Sequence, residues 1–164
     1  KKEYGKEWDE SHNGVRSTPA VIKDKLYFMS PYGQVLCLNV ADGKTVWTVD
    51  LVKLYGARMI EWGLTENLLF DGNVIYCTPG GADASMVALD INTGKQVWKA
   101  PGTGEKSAYC SPLMIKLESN FAARTEVAWL ETTTAPLTMT SACTKVRIST
   151  SSRKSGSGRQ VVVR

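Results

Sequence analysis

One eleven-residue phrase occurs twice in this chain. Residues 88–98 read ALDINTGKQVW, and residues 37–47, 51 positions earlier, read CLNVADGKTVW. Each holds a β-type run, a polar turn with one Gly and a lone Trp. Self-similarity at a spacing of about 45–50 residues marks a repeat architecture, in which one unit cannot bury its apolar face without the next.

The sequence around the phrase has the same regularity. Stretches rich in β-branched and aromatic residues, TPAVI, KLYFMS, QVLCLN and TVWTVDL, then NLLF, NVIYCT, SMVALD and QVWKA, follow one another with turn signals between them. They predict eight short strands and no helix. Asp71-Gly72 suits a tight hairpin, because Gly accepts the positive φ of the primed turns, and Asp24-Lys25 sits at the matching point. Aligning Ala20 with Leu68 puts the sets in step at an offset of 48, and extra residues in PGGADA move it to 51. SPLMIK at 111–116 matches TPAVIK at 18–23 and opens a third set. The unit is thus a four-stranded antiparallel sheet, repeated as in propeller blades. A sandwich or a simple meander would explain the strands but not the repeated Trp.

Within the phrase each residue type has a local task. Ala88 and Leu89 end a strand, Asp90 and Thr93 offer short oxygens to turn amides, and Gly94 tolerates a left-handed backbone. Trp98 is different, since a lone sheet has nothing to bury a ring of that size against. A neighbouring blade supplies the partner, and a buried indole contributes about 2–3 kcal/mol while requiring an acceptor for its N–H. In the first copy Gly43 and Trp47 remain, Cys37 replaces Ala and Asn39 replaces Asp. The residues expected to dock blades are therefore Trp47, Trp98, Gly43, Gly94, Asp90 and Ala88.

At these positions the chain resembles the PQQ-like (quinoprotein-type) β-propellers, whose blades carry a tryptophan-docking motif A-x-D-x-x-x-G-x-x-x-W. Ala88, Asp90, Gly94 and Trp98 meet it in full. GVRSTPAV and WGLTENLLFDGNVIYCTPGG also look like segments of bacterial extracytoplasmic members, and the resemblance covers roughly residues 14–117. It implies an all-β, partial β-propeller: a lead-in (1–15), a blade (16–51), an inter-blade connector (52–65), a second blade (66–102), the first strand of an incomplete third blade (109–117) and an irregular tail (118–164). Members close a ring of about seven or eight blades, which removes exposed sheet edges, so the chain reads as a fragment of such a ring.

Charge separates the tail from the rest. Residues 1–117 balance Lys/Arg against Asp/Glu, so the net +4 comes wholly from 118–164, where 15 of 47 residues are Ser or Thr. Trp129 there lacks the upstream Gly. The tail reads either as a solvated basic linker or as sequence out of frame after residue 117, which the coding DNA in its other frames would reveal. RKSGSGR at 153–159 could attract phosphate, but the neutral blades lack the basic stripe of a nucleic-acid binder.

Chemistry is sparse. Cys37, Cys77, Cys110 and Cys143 form no C-x-x-C and have only His12 as a nitrogen companion, which argues against zinc. Cys37 and Cys77 read as small apolar strand residues, and spacing alone leaves a disulfide open. His12 has no nucleophile in a recognisable elbow nearby. TPGGADAS at 78–85 joins two strands and lacks the helix and Lys-Ser/Thr of a phosphate loop. Asp9, Glu61, Glu66 and Asp83 are single acids, too few for an oxygen cage around calcium. Glu61-Trp62, in the connector, reads as a rim loop packing one aromatic.

The resemblance implies two functions. One is a binding or assembly scaffold like the outer-membrane assembly lipoprotein of the β-barrel insertion machinery. It implies protein partners, no cofactor and no nucleic acid, and outer-membrane association through a lipoprotein or secretion signal outside this chain. The other is a quinoprotein (PQQ-dependent) alcohol or sugar dehydrogenase whose catalytic blades are absent here; pyrroloquinoline quinone and calcium enter only in that case. The scaffold is the preferred expectation, in the periplasm or outside the cell. KKEYGKEWDE has no apolar signal stretch and no run reaches the roughly 18 residues of a membrane span, so the repeat favours a chain that begins after its true N-terminus.

Overall fold

Two-residue turns set the frame of each sheet. In the computed structural model, which describes residues 3–9, 13–107, 109, 111–119, 122–131 and 145–149, β1 (Ala20–Ile22) turns at Lys23–Asp24 into β2 (Lys25–Met29). The equivalent turn at Gly72–Asn73 joins β5 (Leu69–Asp71) to β6 (Val74–Cys77). Lys23 and Gly72 both have positive φ, 56° and 55°. Ala20 pairs with Tyr27 as Leu69 does with Tyr76, so these strands correspond at an offset of 49. The sequence alignment gave 48, because the apolar triplets AVI and LLF fit equally well when slid by one residue; the turn, not the triplet, fixes register.

Each hairpin grows outward into a four-stranded antiparallel sheet. Blade one is β1-β2-β3-β4, with β3 Gln34–Asn39 and β4 Thr45–Asp50; blade two is β5-β6-β7-β8, with β7 Ala84–Asp90 and β8 Gln96–Pro101. Both outer strand pairs slip by one residue at the same repeat position, after Cys37 and after Ala88. Such a bulge bends the strand locally, and here it leaves Val46 and Val97 unpaired and exposed. It also sets a row of three residues across each sheet: Tyr27–Cys37–Trp47 and Tyr76–Ala88–Trp98.

Between blades lies a five-residue helix, α1 (Leu51–Tyr55), that the sequence did not announce, being too short to carry a helical period. Asp50 caps its start by accepting from Lys53 N at 3.0 Å, and it buries Leu51 and Tyr55. A third sheet, ordered β11-β10-β9, consists of β9 (Leu113–Ser119), β10 (Ala122–Glu131) and β11 (Lys145–Ser149). Two of its strands fall inside 118–164, where the sequence predicted an irregular tail; β-branched residues such as Thr125, Val127, Val146 and Ile148 supply strand propensity there without any repeat signature. The rest of that segment, with His12, Cys110 and Cys143, lies outside the described residues.

The largest core fills the seam between blades one and two, where Tyr27, Met29, Val35, Cys37 and Val49 meet Ile75, Cys77, Val87 and Leu89. Because the strands alternate in direction, the β4–β5 connector, the β6–β7 loop and the β8–β9 connector all emerge at one end of the sheets. There the backbones touch: Ala57 bridges Gly81, Gly80 bridges Lys106, and Gly104 N donates to Gly81 O at 2.9 Å. No side chain fits between them, since a Cβ on Gly81 would lie 2.1 Å from Gly56 O.

Gly81→Ala should therefore cost more than about 3 kcal/mol, combining backbone displacement with a positive φ. Gly72→Ala, whose Cβ meets nothing within 4 Å, should cost only about 1 kcal/mol. Urea denaturation of the two variants checks this, and equal losses would mean that the loop contact carries no strain.

Candidate functional site

The seam is built around one indole. Trp47 on β4 reaches across to blade two and donates Nε1–H to Ile91 O at 3.1 Å. Its six-membered ring lies on Gly94, where an added Cβ would come within 2.8 Å of Cε3. Gly94 thus meets two demands, a φ of 68° and a surface flat enough for the ring. Tyr27 supports the indole from its own sheet at 6.1 Å and meets Phe70 of blade two at 5.6 Å. Cys37, between Tyr27 and Trp47 in the row, is small enough to leave them room, and Ala88 occupies that place between Tyr76 and Trp98. Burial, with Cys37 nearby, lifts the Tyr27 hydroxyl to about 12.

Of the six expected docking residues, the fold brings Trp47 and Gly94 together. Asp90 holds their turn, its Oδ1 accepting from Asn92 N, Thr93 N and Thr93 Oγ1 at 3.1, 2.9 and 2.8 Å. These bonds draw its carboxyl below the usual range, led by Thr93. In the first copy Asp42 does part of this work by accepting from Lys44 N at 3.0 Å, and Gly43 has a φ of 66°. Trp98 packs with Tyr76, Met86, Ala88 and Ala100, alongside Met114 of β9. Ile91, whose carbonyl receives the indole, carries no side-chain signal and was invisible to sequence reading.

The connector end carries a second arrangement. Glu66, 1% exposed, accepts from Thr78 N at 2.8 Å and from the Thr78 hydroxyl. At the same place in blade one, 49 residues earlier, Ser17 Oγ donates to Met29 O at 2.7 Å and accepts from Met29 N at 3.3 Å. A carboxyl thus stands where the other repeat has a hydroxyl. Desolvation raises Glu66 to about 7 despite its bonds to Thr78. Asn67, next in sequence, stitches three blade entrances: its Oδ1 accepts from Thr18 N at 2.6 Å and its N–H donates to Ser111 Oγ at 2.8 Å. Ser17 and Glu66 would have aligned in the sequence had the offset been 49.

Trp62, half exposed, donates its backbone N–H to Tyr109 Oη at 3.1 Å, with the rings 5.5 Å apart. Glu61, Asp9 and Asp83 are exposed. Among the described residues no three of His, Cys, Asp and Glu gather as a metal site, and Glu66 is engaged with Thr78. These residues alone do not fit a calcium-and-quinone site. Cys37 and Cys77 are free and buried, and desolvation raises both thiols, which leaves them protonated and inert.

Comparison with known proteins supplies what geometry lacks. A family model described as outer membrane protein assembly factor BamB, of PQQ-type repeats, matches residues 4–155. The chain is 33% identical over 107 residues to the 1-butanol dehydrogenase (cytochrome c) of Thauera butanivorans, covering 60% of this chain and 15% of that protein. It is 26% identical over 100 residues to the quinoprotein alcohol dehydrogenase PedH of Pseudomonas putida, covering 61% and 16%. The solved quinohemoprotein alcohol dehydrogenase of Comamonas testosteroni superimposes at a TM-score of 0.47 and 20% identity, covering 70% of this chain and 19% of its own. The chain thus spans 15–16% of the length of these two curated relatives.

These findings correct one expectation. The sequence alone implies no cofactor, keeping pyrroloquinoline quinone and calcium for the alternative; the curated relatives are quinoprotein and quinohemoprotein alcohol dehydrogenases by name. That expectation weighed only the residues within this chain. Ligands facing a propeller axis are pooled from many blades, so a count over two of them does not bear on the whole.

Because the folded pKa of Glu66 lies above its ordinary 4.5, at about 7, the folded state holds the proton more tightly. Its contribution to stability is complete below pH 4.5 and is lost as pH rises through 7, by up to about 3 kcal/mol. Glu66→Gln should remove this slope and be the more stable form at pH 8. Parallel urea titrations at pH 5 and pH 8 measure it; identical slopes for both proteins would show that the carboxyl does not titrate as placed.

Proposed function

Because the chain belongs to the PQQ-like β-propeller repeat family, we propose that it forms two successive blades and the opening of a third in the propeller of a quinoprotein alcohol dehydrogenase. The observation that carries this reading is the alignment of about 60% of the chain with dehydrogenases of that type. In this role the chain's own residues do structural work for a site assembled from more blades than are present here. Trp47 and Trp98 are pegs, Gly43 and Gly94 their seats, Ala88 the small residue that admits the ring, and Asp90 the clasp of the turn. The connector end, where Glu66, Asn67 and Trp62 lie, is the ring face on which blades pool their loops.

A second reading, a binding and assembly scaffold, is favoured by the family description, outer membrane protein assembly factor BamB. It requires only blade geometry, and its partners are proteins rather than nucleic acid. Either role places the protein outside the cytoplasm, and the scaffold places it at the outer membrane.

The two readings separate on activity. The full-length protein, supplied with pyrroloquinoline quinone and calcium, should reduce an artificial dye when given primary alcohols, with sustained turnover. A protein that binds the quinone without turnover on alcohols or sugars would return the assignment to a scaffold. Independently, Trp98→Ala should cost about 3–5 kcal/mol in the full protein, read as a lowered melting temperature; an unchanged midpoint would remove Trp98 from the docking role.

A further inference from the structure

The two repeats differ in chemistry at one buried place. Ser17 in blade one and Glu66 in blade two stand at equivalent positions ahead of their first strands, and each is tied to the second strand or its end, Ser17 to Met29 and Glu66 to Thr78. A hydroxyl keeps one charge state around neutral pH. A carboxyl has two, and this one is 1% exposed, so it must change charge where water does not reach.

Glu66 also stands at a junction. Asn67, next in the chain, accepts from Thr18 N ahead of β1 and donates to Ser111 Oγ ahead of β9. Thr78, the residue that binds the carboxyl, accepts at its own carbonyl from Ser107 Oγ of the β8–β9 connector at 2.9 Å. The carboxyl is therefore one residue away from the bonds to both neighbouring sheets and in direct contact with the residue that holds the connector. Residues 63–68 lie outside any strand and Asn67 is exposed, so this stretch can shift without opening a ladder. Few groups act on the carboxyl. Burial disfavours its charge, and the Thr78 hydroxyl and amide favour it; beside it the Cys77 thiol of β6 stays protonated, since burial and the Glu66 charge both raise it. A carboxylate formed here has the dipoles of Thr78 for company, and movement of the stretch towards solvent returns the hydration it lacks.

We propose that Glu66 is a pH-sensitive latch of the connector end. With the carboxyl neutral, Asn67 and Thr78 hold blade two to both neighbouring sheets and to the β8–β9 connector; with the carboxyl charged, the stretch leading into β5 loosens and these bonds weaken together. The seam core and the Trp47 contact lie off this path and stay closed. Glu66 is thus a positioning residue for the loops at this end, whichever of the two functions the propeller performs. The buried carboxyl loses its proton near pH 7 and a solvated one near 4.5. The loosened form should therefore grow about tenfold per pH unit between these values and level off above 7, on the order of a hundredfold in all.

Hydrogen–deuterium exchange of the full-length protein, read by mass spectrometry from pH 5 to pH 8 and corrected for the intrinsic rate, tests the latch. Protection in peptides carrying Thr18 and Asn67 should fall on the order of a hundredfold up to pH 7 and then stay level. It should not change with low urea, because local opening exposes little surface, whereas amides of β3 and β7 should exchange by urea-sensitive unfolding. Glu66→Gln should abolish the pH dependence at Thr18 and Asn67. Thr78→Val, which removes a donor that favours the charge, should move the level region to higher pH. Protection at Thr18 and Asn67 that ignores pH would overturn the latch, as would a pH dependence that survives Glu66→Gln. Exchange there that rises with urea as steeply as in β3 would overturn it too, since the carboxyl would then act only on the fold as a whole. Should Glu66→Gln not fold, Thr78→Val decides: a level region still beginning at pH 7 would refute the latch.

Discussion

The contact of the Trp47 indole with Ile91 O and Gly94 is the constraint around which the two blades are arranged. A four-stranded sheet has two faces and, alone, cannot bury either. Placing a large ring on its outer strand, with one N–H to satisfy, binds that strand to a carbonyl and a glycine on the next sheet. The demand then passes back into each sheet. The ring needs a flat seat, hence Gly at a left-handed position; it needs room beside Tyr27, hence Cys or Ala in the middle of the row; and it needs its strand bent, which the repeated bulge provides.

At the opposite end the sheets are joined by direct backbone contacts as well as by side chains. Connector, loop and connector meet at Gly80, Gly81 and Gly104, close enough that a methyl group would not fit at Gly81. Beside them, Asn67 links the entrances of all three sheets. Turns at one end and loops at the other thus fix blade two against its neighbours at two separated points, which restrains tilt as well as distance. Among the described residues Glu66 is the one acid buried within this arrangement, at a cost in desolvation. The hydroxyl of Ser17 serves the equivalent place without that cost.

The relation to quinoprotein dehydrogenases bears on what such blades are for. A ring face collects loops from every blade, so each blade can be chemically plain while the whole is not. This is why reasoning from the residues of two blades led towards a protein without a cofactor, and why the relatives point the other way. The same plainness lets one architecture serve as scaffold or enzyme, and fold alone does not choose between them.

Much of the fold was legible because repetition is a sequence property. The phrase ending in Trp47 and Trp98, the strand runs and their period gave the sheets, their strand count and the propeller type, since burying an indole repeatedly admits few arrangements. The register of the first hairpins was not legible, because AVI and LLF slide by one residue without loss and only the turn geometry at Lys23 and Gly72 decides. Helix α1 was hidden by its length, and β10 and β11 by lacking the repeat. The candidate site was legible by half: Trp47, Gly94 and Asp90 carry distinctive side chains, whereas Ile91 contributes a carbonyl that every residue has. That Glu66 would be sealed against Thr78 depended on which segments the folded chain brings side by side. Local sequence fixes propensity and period; the partner of a buried group is a property of three-dimensional packing, and it was decided only there.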